Sequence, residues 1–476
     1  MNSISQLKEP TKYLMIFLIG VILFRLVLIA DVPLLDKTES RYSEIARIMN
    51  ETNEWVVLQI DYDQPFWAKP PLSTWLSAIS FKIFGVNAFA ARLPSYLLNL
   101  FLIFILSKFV LKDKKKLLLV GFILLTMPEF LLHTGVVSTD TALCFSISII
   151  MISFWKAINK DGAWYWKYLF FVGVALGLLS KGPLVVVLTG PPIFVWLILK
   201  RVKIKALFKN LPWLIGLLIT VVIAVPWYIL TEMRSEGFID YFIVGEHFKR
   251  FLEPKWSGDL YGGPKSQALG MIWVFLFIFT FPWLQIAIYK LWKSRRKVLK
   301  DPWLTYLVLW MLWTPLFFTI SKNILHTYIL PSTIPLALII VHFWQEIKLK
   351  KTSIIVASIF PIAALLFYVG LRFTDKWEPN LNTNKYLLQA VDVEHAPIYF
   401  WKQRSYSGEF YSNGNAQLVA DESQLDSLLQ IHDQPYMLVL NKKRKEIPKA
   451  YFDKMKLQDS NYKSSLYRFD KIELLP

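Results

Sequence analysis

The chain has 476 residues, of which 55% are hydrophobic and 16% aromatic, with a formal net charge of +18 and a single cysteine. That apolar content exceeds what one soluble domain of this length buries, so the class to expect is a polytopic membrane protein. One cysteine excludes an intrachain disulfide and a thiolate metal site. The positive charge does not indicate nucleic acid, because most basic residues stand at the ends of apolar runs, where they meet anionic lipid head groups.

In chain order, apolar runs long enough or nearly long enough to cross a bilayer occur at Tyr13–Ala30, Ala91–Val110, Leu117–Leu132, Thr139–Trp155, Trp164–Leu179, Pro183–Leu199, Leu211–Leu230, Ala268–Leu291, Trp303–Ile320, Thr327–Trp344 and Ser353–Leu371. They predict about eleven α-helical spans. The first run has no small-residue cleavage site after it and reads as a retained span. Short basic loops lie at Lys108–Lys116, Lys156–Lys167, Lys200–Lys209, Lys290–Lys300 and Lys348–Lys351. The positive-inside rule places these loops and the N-terminus in the cytoplasm.

Three segments on the opposite side are too long for turns: Asp31–Ala90, Thr231–Gln267 and everything after Leu371. The first has helical period in Glu39–Asn50 and Leu72–Phe84, separated by turn-rich Asp61–Pro71, and predicts amphipathic helices lying in the interface. The last is polar, with strand-like Pro397–Trp401, Gln417–Ala420 and Tyr436–Leu440 and a helix-like Glu422–Gln430. This pattern divides the chain into a transmembrane domain, 1–372, and a small outer α/β domain, 373–476.

Polar residues cluster at the outer ends of the runs, and their strings carry a resemblance. T-E-S-R-Y-S-E-I-A-R-I-M, A-K-P-P-L-S-T-W-L and F-G-V-N-A-F-A-A-R-L-P occur in that order, followed by S-K-G, P-W-Y, E-H-F-K-R-F, F-P-W and L-F-F-T-I-S-K-N-I-L-H-T-Y-I-L-P. The set resembles the polyprenyl-phosphate-sugar-dependent glycosyltransferases of the GT-C fold, especially the lipid A aminoarabinose transferases and the bacterial members of the dolichyl-phosphate-mannose protein mannosyltransferase family. The resemblance implies an inner-membrane enzyme that moves a sugar from an undecaprenyl-type phosphate to a lipid, glycan or protein acceptor at a periplasmic site. It implies no nucleic acid partner.

The residues suit that chemistry. A departing polyprenyl phosphate gains negative charge, so fixed cations stabilise the transition state. Lys69, Lys181, Arg250 and Lys322 are the candidates, with Arg41, His247 and Tyr328 as further substrate-binding residues. Arg41 has the alternative of pairing with Glu39 or Glu44, Tyr328 that of an interfacial belt aromatic, and His247 that of a structural loop residue. The family's motif carries an Asp-Glu pair after the first span, but here Thr38 replaces the Asp and only Glu39 is kept. The catalytic candidates are therefore Glu39, Asp140, which matches a second family carboxylate, and Asp36, which reaches the site if the junction bends. Asp36 and Thr38 are also good helix caps. An ionised phosphate acceptor needs no general base, whereas a hydroxyl does.

Ala68 stands where the aminoarabinose transferases carry a Glu, and Glu246 with His247 alone is not a ligand set. No cofactor is assigned, and a divalent metal is left open. The competing classes are a lipid-linked-sugar flippase, for which internal hydropathy symmetry is expected, and a catalytically weakened glycan-binding relative.

Overall fold

The structure, a computed structural model, describes residues 9–111, 114–160, 163–250, 253, 256–262, 267–374, 377–432 and 434–470. Lys112, Asp113, Asp161 and Gly162 of the basic loops, Phe251 of the E-H-F-K-R-F string, and both chain termini of the sequence reading lie outside these residues.

The chain opens with helix α1 (Glu9–Asp31), then α2 (Thr38–Thr52), the small hairpin β1 (Gln59–Asp61) and β2 (Gln64–Pro65), and helices α3 (Leu72–Phe84) and α4 (Ala88–Ile105). Helices α5 (Lys114–Leu125), α6 (Pro128–His133), α7 (Thr139–Ile158), α8 (Trp166–Lys181), α9 (Leu184–Leu199), α10 (Ile204–Asn210) and α11 (Trp213–Arg234) follow. A π-helical segment, Asp240–Lys249, precedes the last membrane helices.

Each of the eleven apolar runs contains helix. Among the described residues six helices are long and apolar enough to cross a membrane: Lys12–Asp31, Ala88–Lys108, Thr139–Ile158, Trp213–Arg234, His326–Glu346 and Lys350–Arg372. The pair Met271–Phe279 and Trp283–Lys293, bent by 102°, adds a seventh if read as one span. Pro282 lies at that break and has no N–H to continue the helical ladder. The Leu117–Leu132 run is split at Thr126–Met127, and Pro128 occupies the first turn of α6, where its missing N–H costs nothing.

Helix α7 is the centre of the bundle, with 83% of its apolar window buried, whereas Lys12–Asp31 and Lys350–Arg372 bury only 17% and 11% and turn most of their surface to lipid. Gly173 allows α8 to lie against α7, since a Cβ there would come within 2.8 Å of the Ile150 side chain.

Helices α2 and α3 form the predicted layer over the bundle. α2 is buried on all sides from Tyr42 to Met49, where the sequence pattern predicts one buried face, because the outer domain covers the face turned away from the bundle, while Pro70 and Pro71 lead into α3. Above them stands a five-stranded sheet of order β4-β3-β5-β7-β6, built from β3 (Ile398–Trp401), β4 (Ala416–Val419), β5 (Tyr436–Leu440), β6 (Met455–Ser460) and β7 (Ser464–Phe469). β3 pairs in parallel with β4 and β5, as expected of an α/β unit, and the β6–β7 hairpin adds an antiparallel edge.

This domain grips the first outer loop. Both oxygens of Asp36 accept hydrogen bonds from it: Ser407 N and Ser407 Oγ at 2.8 Å each, and Ser405 Oγ at 2.7 Å. The Tyr411 hydroxyl accepts from Leu34 N at 2.7 Å, Phe410 packs with Tyr42 and Phe81 in one apolar cluster, and Arg404 bridges Asp61 at 2.5 Å and Glu409 at 3.0 Å.

Burial and the neighbouring Glu44 carboxylate push the Glu409 pKa up to about 8, despite Arg404. The folded state therefore holds a proton there that the unfolded chain releases near pH 4.5. The stability this contributes is complete below the unfolded pKa and is lost as pH rises through about 8. Thermal midpoints measured from pH 5 to 9 are expected to fall less with pH in Glu409→Gln than in the parent. An unchanged slope would assign that proton elsewhere.

Candidate functional site

Lys69, at the end of the β2–α3 connection, and Arg250, just after the π-helical segment, meet on one carboxylate. Lys69 Nζ lies 2.8 Å from Glu246 Oε2, and Arg250 Nη1 lies 2.7 and 2.9 Å from the two Glu246 oxygens. Asp259 Oδ2 adds an ionic contact to Arg250 at 3.4 Å. The acid is underneath and the bases face outward: the Glu246 side chain is 4% exposed, against 21% for Lys69 and 29% for Arg250. Burial raises the Glu246 pKa, but Lys69 and Arg250 outweigh it and hold the carboxyl below its usual range. Burial lowers the Arg250 pKa, yet Glu246, Asp259 and the Tyr328 hydroxyl hold its proton more firmly than usual.

Gly245 lets the Trp256 ring cover this segment, because a Cβ there would lie 2.5 Å from the indole. The same segment is stapled to α8 through His247, whose Nδ1 and Nε2 face the carbonyls of Phe242 at 2.7 Å and Lys181 at 3.0 Å. Burial lowers the His247 pKa, favouring a neutral ring that donates to only one of the two carbonyls. At the junction Gly182 has φ +64°, and a Cβ would strike the Phe242 ring at 2.7 Å, so glycine is required there.

Beside this centre, Asp140 at the start of α7 pairs with Lys181 at 2.5 Å and accepts from Ser138 Oγ at 3.2 Å. The Lys181 ammonium sits 4.7 Å from the centre of the Tyr328 ring, so Tyr328 touches the site as well as Phe318 behind it. Arg41 pairs with neither Glu39 nor Glu44, because Arg92 and Arg47 hold those two carboxylates. Its guanidinium instead donates to the Tyr261 carbonyl at 2.9 Å and lies 5.3 to 6.0 Å from the rings of Tyr42, Phe66 and Tyr406, with Nε buried and unpartnered. Tyr261 connects it to the Lys69 loop, since its hydroxyl accepts from Trp67 N at 3.1 Å.

Two candidates have other partners. Asp36 is enclosed by Ser40, Ser405 and Ser407, and α2 has no side-chain cap from Asp36 or Thr38. Glu39 is clamped by Arg92 through two bonds of 2.7 and 2.6 Å. Burial raises the Glu39 pKa, and the Arg92 guanidinium with the Val137 N–H more than reverses this, keeping the carboxylate ionised. Lys322 is exposed, and no contact joins it to the others among the described residues. Among the described residues no group of three or more His, Cys, Asp and Glu is placed to hold a metal.

Arg92, Asp259 and Tyr261 were not singled out by sequence reasoning. Only Arg92 carried a signal, as a charge inside an apolar run that requires a buried partner.

The arrangement is a polytopic helical bundle with interfacial helices and a capping α/β domain, and its fold is that of the GT-C class. The ArnT structure from Cupriavidus metallidurans bound to undecaprenyl phosphate superposes with a TM-score of 0.73 at 16% identity, covering 96% of this chain and 98% of that one. Its apo form gives 0.74 at 16% identity over 97% and 98%. In sequence, residues 12–242 match the family model of dolichyl-phosphate-mannose-protein mannosyltransferases. The chain is similar to the undecaprenyl phosphate-alpha-4-amino-4-deoxy-L-arabinose arabinosyl transferase of Wigglesworthia glossinidia brevipalpis, 29% identical over 70% of this chain and 59% of the relative. The transferase of the same name from Serratia proteamaculans (strain 568) is 27% identical over 70% of this chain and 60% of its own length. The chain thus spans about three fifths of the length of the curated relatives it matches.

Proposed function

We propose that this protein is a glycosyltransferase of the bacterial inner membrane. It moves a sugar from an undecaprenyl-type phosphate to an acceptor on the side of the membrane that carries the α/β domain. The observation behind this reading is the pair of outward-facing cations, Lys69 and Arg250, held side by side over one buried acid. When the bond between sugar C1 and the carrier oxygen breaks, the carrier leaves as a phosphate monoester with an added negative charge. In this reading Lys69, Arg250 and Arg41 stabilise that charge.

The acceptor is a phosphate in this reading. The three carboxylates of the sequence reading are all engaged, Glu39 by Arg92, Asp140 by Lys181 and Asp36 by three serines. An ionised phosphate oxygen attacks C1 without giving up a proton, so no carboxylate has to serve as base. The amino-pentose donor named for the relatives and the phosphates of lipid A are the pair to try first. Purified protein with undecaprenyl-phosphate aminoarabinose is expected to modify lipid A and to leave dephosphorylated lipid A unmodified. Transfer to the dephosphorylated lipid would replace the phosphate acceptor with a hydroxyl and require one of those carboxylates to be released.

Orientation is tested separately. A reporter fused after Lys300 is expected to be active only in the cytoplasm, and one fused after Asp470 only in the periplasm. The reverse result would place the site on the wrong side for a periplasmic acceptor.

A further inference from the structure

A second set of cations lies outside the site, where the outer domain meets the first loop. Lys463 Nζ donates to Asn382 Oδ1 at 2.6 Å, and the Asn382 side-chain amide donates to the carbonyl of Asp36 at 2.6 Å, which sets Lys463 beside the backbone that leads into Lys37. Asn441 N donates to the Lys463 carbonyl at 2.8 Å and so brings the adjacent Lys442 to the same place. Lys37 and Lys442 are exposed, and neither ammonium has an ion pair or hydrogen bond among the described residues. The nearby Asp36 carboxylate is already occupied by serines, and Glu446 is taken by Lys443 and Lys402. Burial lowers the Lys463 pKa, and repulsion from Lys37 and Lys442 lowers it further against the pull of Asp36. An anion arriving beside Lys463 would relieve the repulsion it feels from Lys37 and Lys442.

Their height in the membrane indicates what anion that is. Lys37 follows closely on the end of α1 at Asp31, which is tied to Arg372 at 2.9 Å and to the Tyr368 hydroxyl at 2.7 Å at the end of the Lys350–Arg372 span. The patch therefore stands at head-group level.

We propose that Lys37, Lys442 and Lys463 form a binding patch for the phosphate of an amphiphile in the adjacent leaflet. The patch does not depend on the transferase reading, and its test measures binding and not turnover. The full chain is placed in phosphatidylcholine nanodiscs doped with phosphatidylglycerol, with lipid A or with dephosphorylated lipid A, and the lipid retained is counted by native mass spectrometry. Phosphorylated lipid is expected to be enriched over its dephosphorylated form. Enrichment of phosphatidylglycerol assigns the patch to bulk lipid, and enrichment of lipid A alone assigns it to a glycolipid phosphate. Each lysine changed to Gln is expected to lower the enrichment about fivefold. Because Lys463 also braces Asn382, the double variant Lys37→Gln with Lys442→Gln, which alters only exposed side chains, serves as the folded control and must itself show the loss. Equal retention by parent and double variant, or of both forms of lipid A, would overturn the proposal.

Discussion

Lys69→Ala and Arg250→Ala are each expected to slow sugar transfer by two to three decades while the protein still folds and inserts. The magnitude follows from the electrostatics of the leaving group: a fixed cation contact to charge that grows in the transition state is worth about 2 to 4 kcal/mol. Because Glu246 holds both cations, Lys69→Arg should recover part of the rate, and Glu246→Gln should reduce it by leaving the pair unaligned and mutually repelling. Single-turnover rates with a labelled carrier would separate this from weakened donor binding. Wild-type rates in both alanine variants would remove these residues from the chemistry.

The other large effect is on stability. Arg92→Ala leaves Glu39 enclosed without its partner cation, and breaking a buried ion pair from one side costs about 3 to 5 kcal/mol. The variant is expected to accumulate poorly and to melt well below the parent. The paired change Glu39→Leu with Arg92→Met removes both charges together, and it is expected to restore part of the melting temperature, because the carbonyls of Ile29, Val32 and Pro33 that Arg92 also bonds lose their donor. If Glu39 only shapes the loop, the paired variant also keeps substantial transfer. If it folds but is inactive, Glu39 is a working carboxylate and the acceptor must present a hydroxyl.

Much of the architecture was legible because the membrane imposes it. Apolar length alone marks spans, and each predicted run contains helix; the helical period of Glu39–Asn50 and Leu72–Phe84 gave the interfacial layer. Strands β3, β4 and β5 showed through their apolar runs, but β6 did not, since nearly all of Met455–Ser460 is exposed and its pattern has no buried face to reveal. The site was legible as a set of outward polar strings but not as pairs. Lys69 and Glu246 are 177 residues apart, and Arg92 and Glu39 are 53. Which acid takes which base is decided by how the helices pack, information that spacing does not hold. Asp36 is the extreme case, because its partners Ser405 and Ser407 are 369 and 371 residues away, and no local pattern could separate a reacting carboxylate from one tied to a distant domain.

That distance also sets an order of assembly. The loop bearing Glu39 and Arg41 is synthesised well before residues beyond 400, so Asp36 meets its serines only once that later domain has been made. Until then the membrane helices can stand in place with that loop fastened at one end only. A chain interrupted between these two regions is therefore left unfinished, and a domain made late is what closes a loop made early.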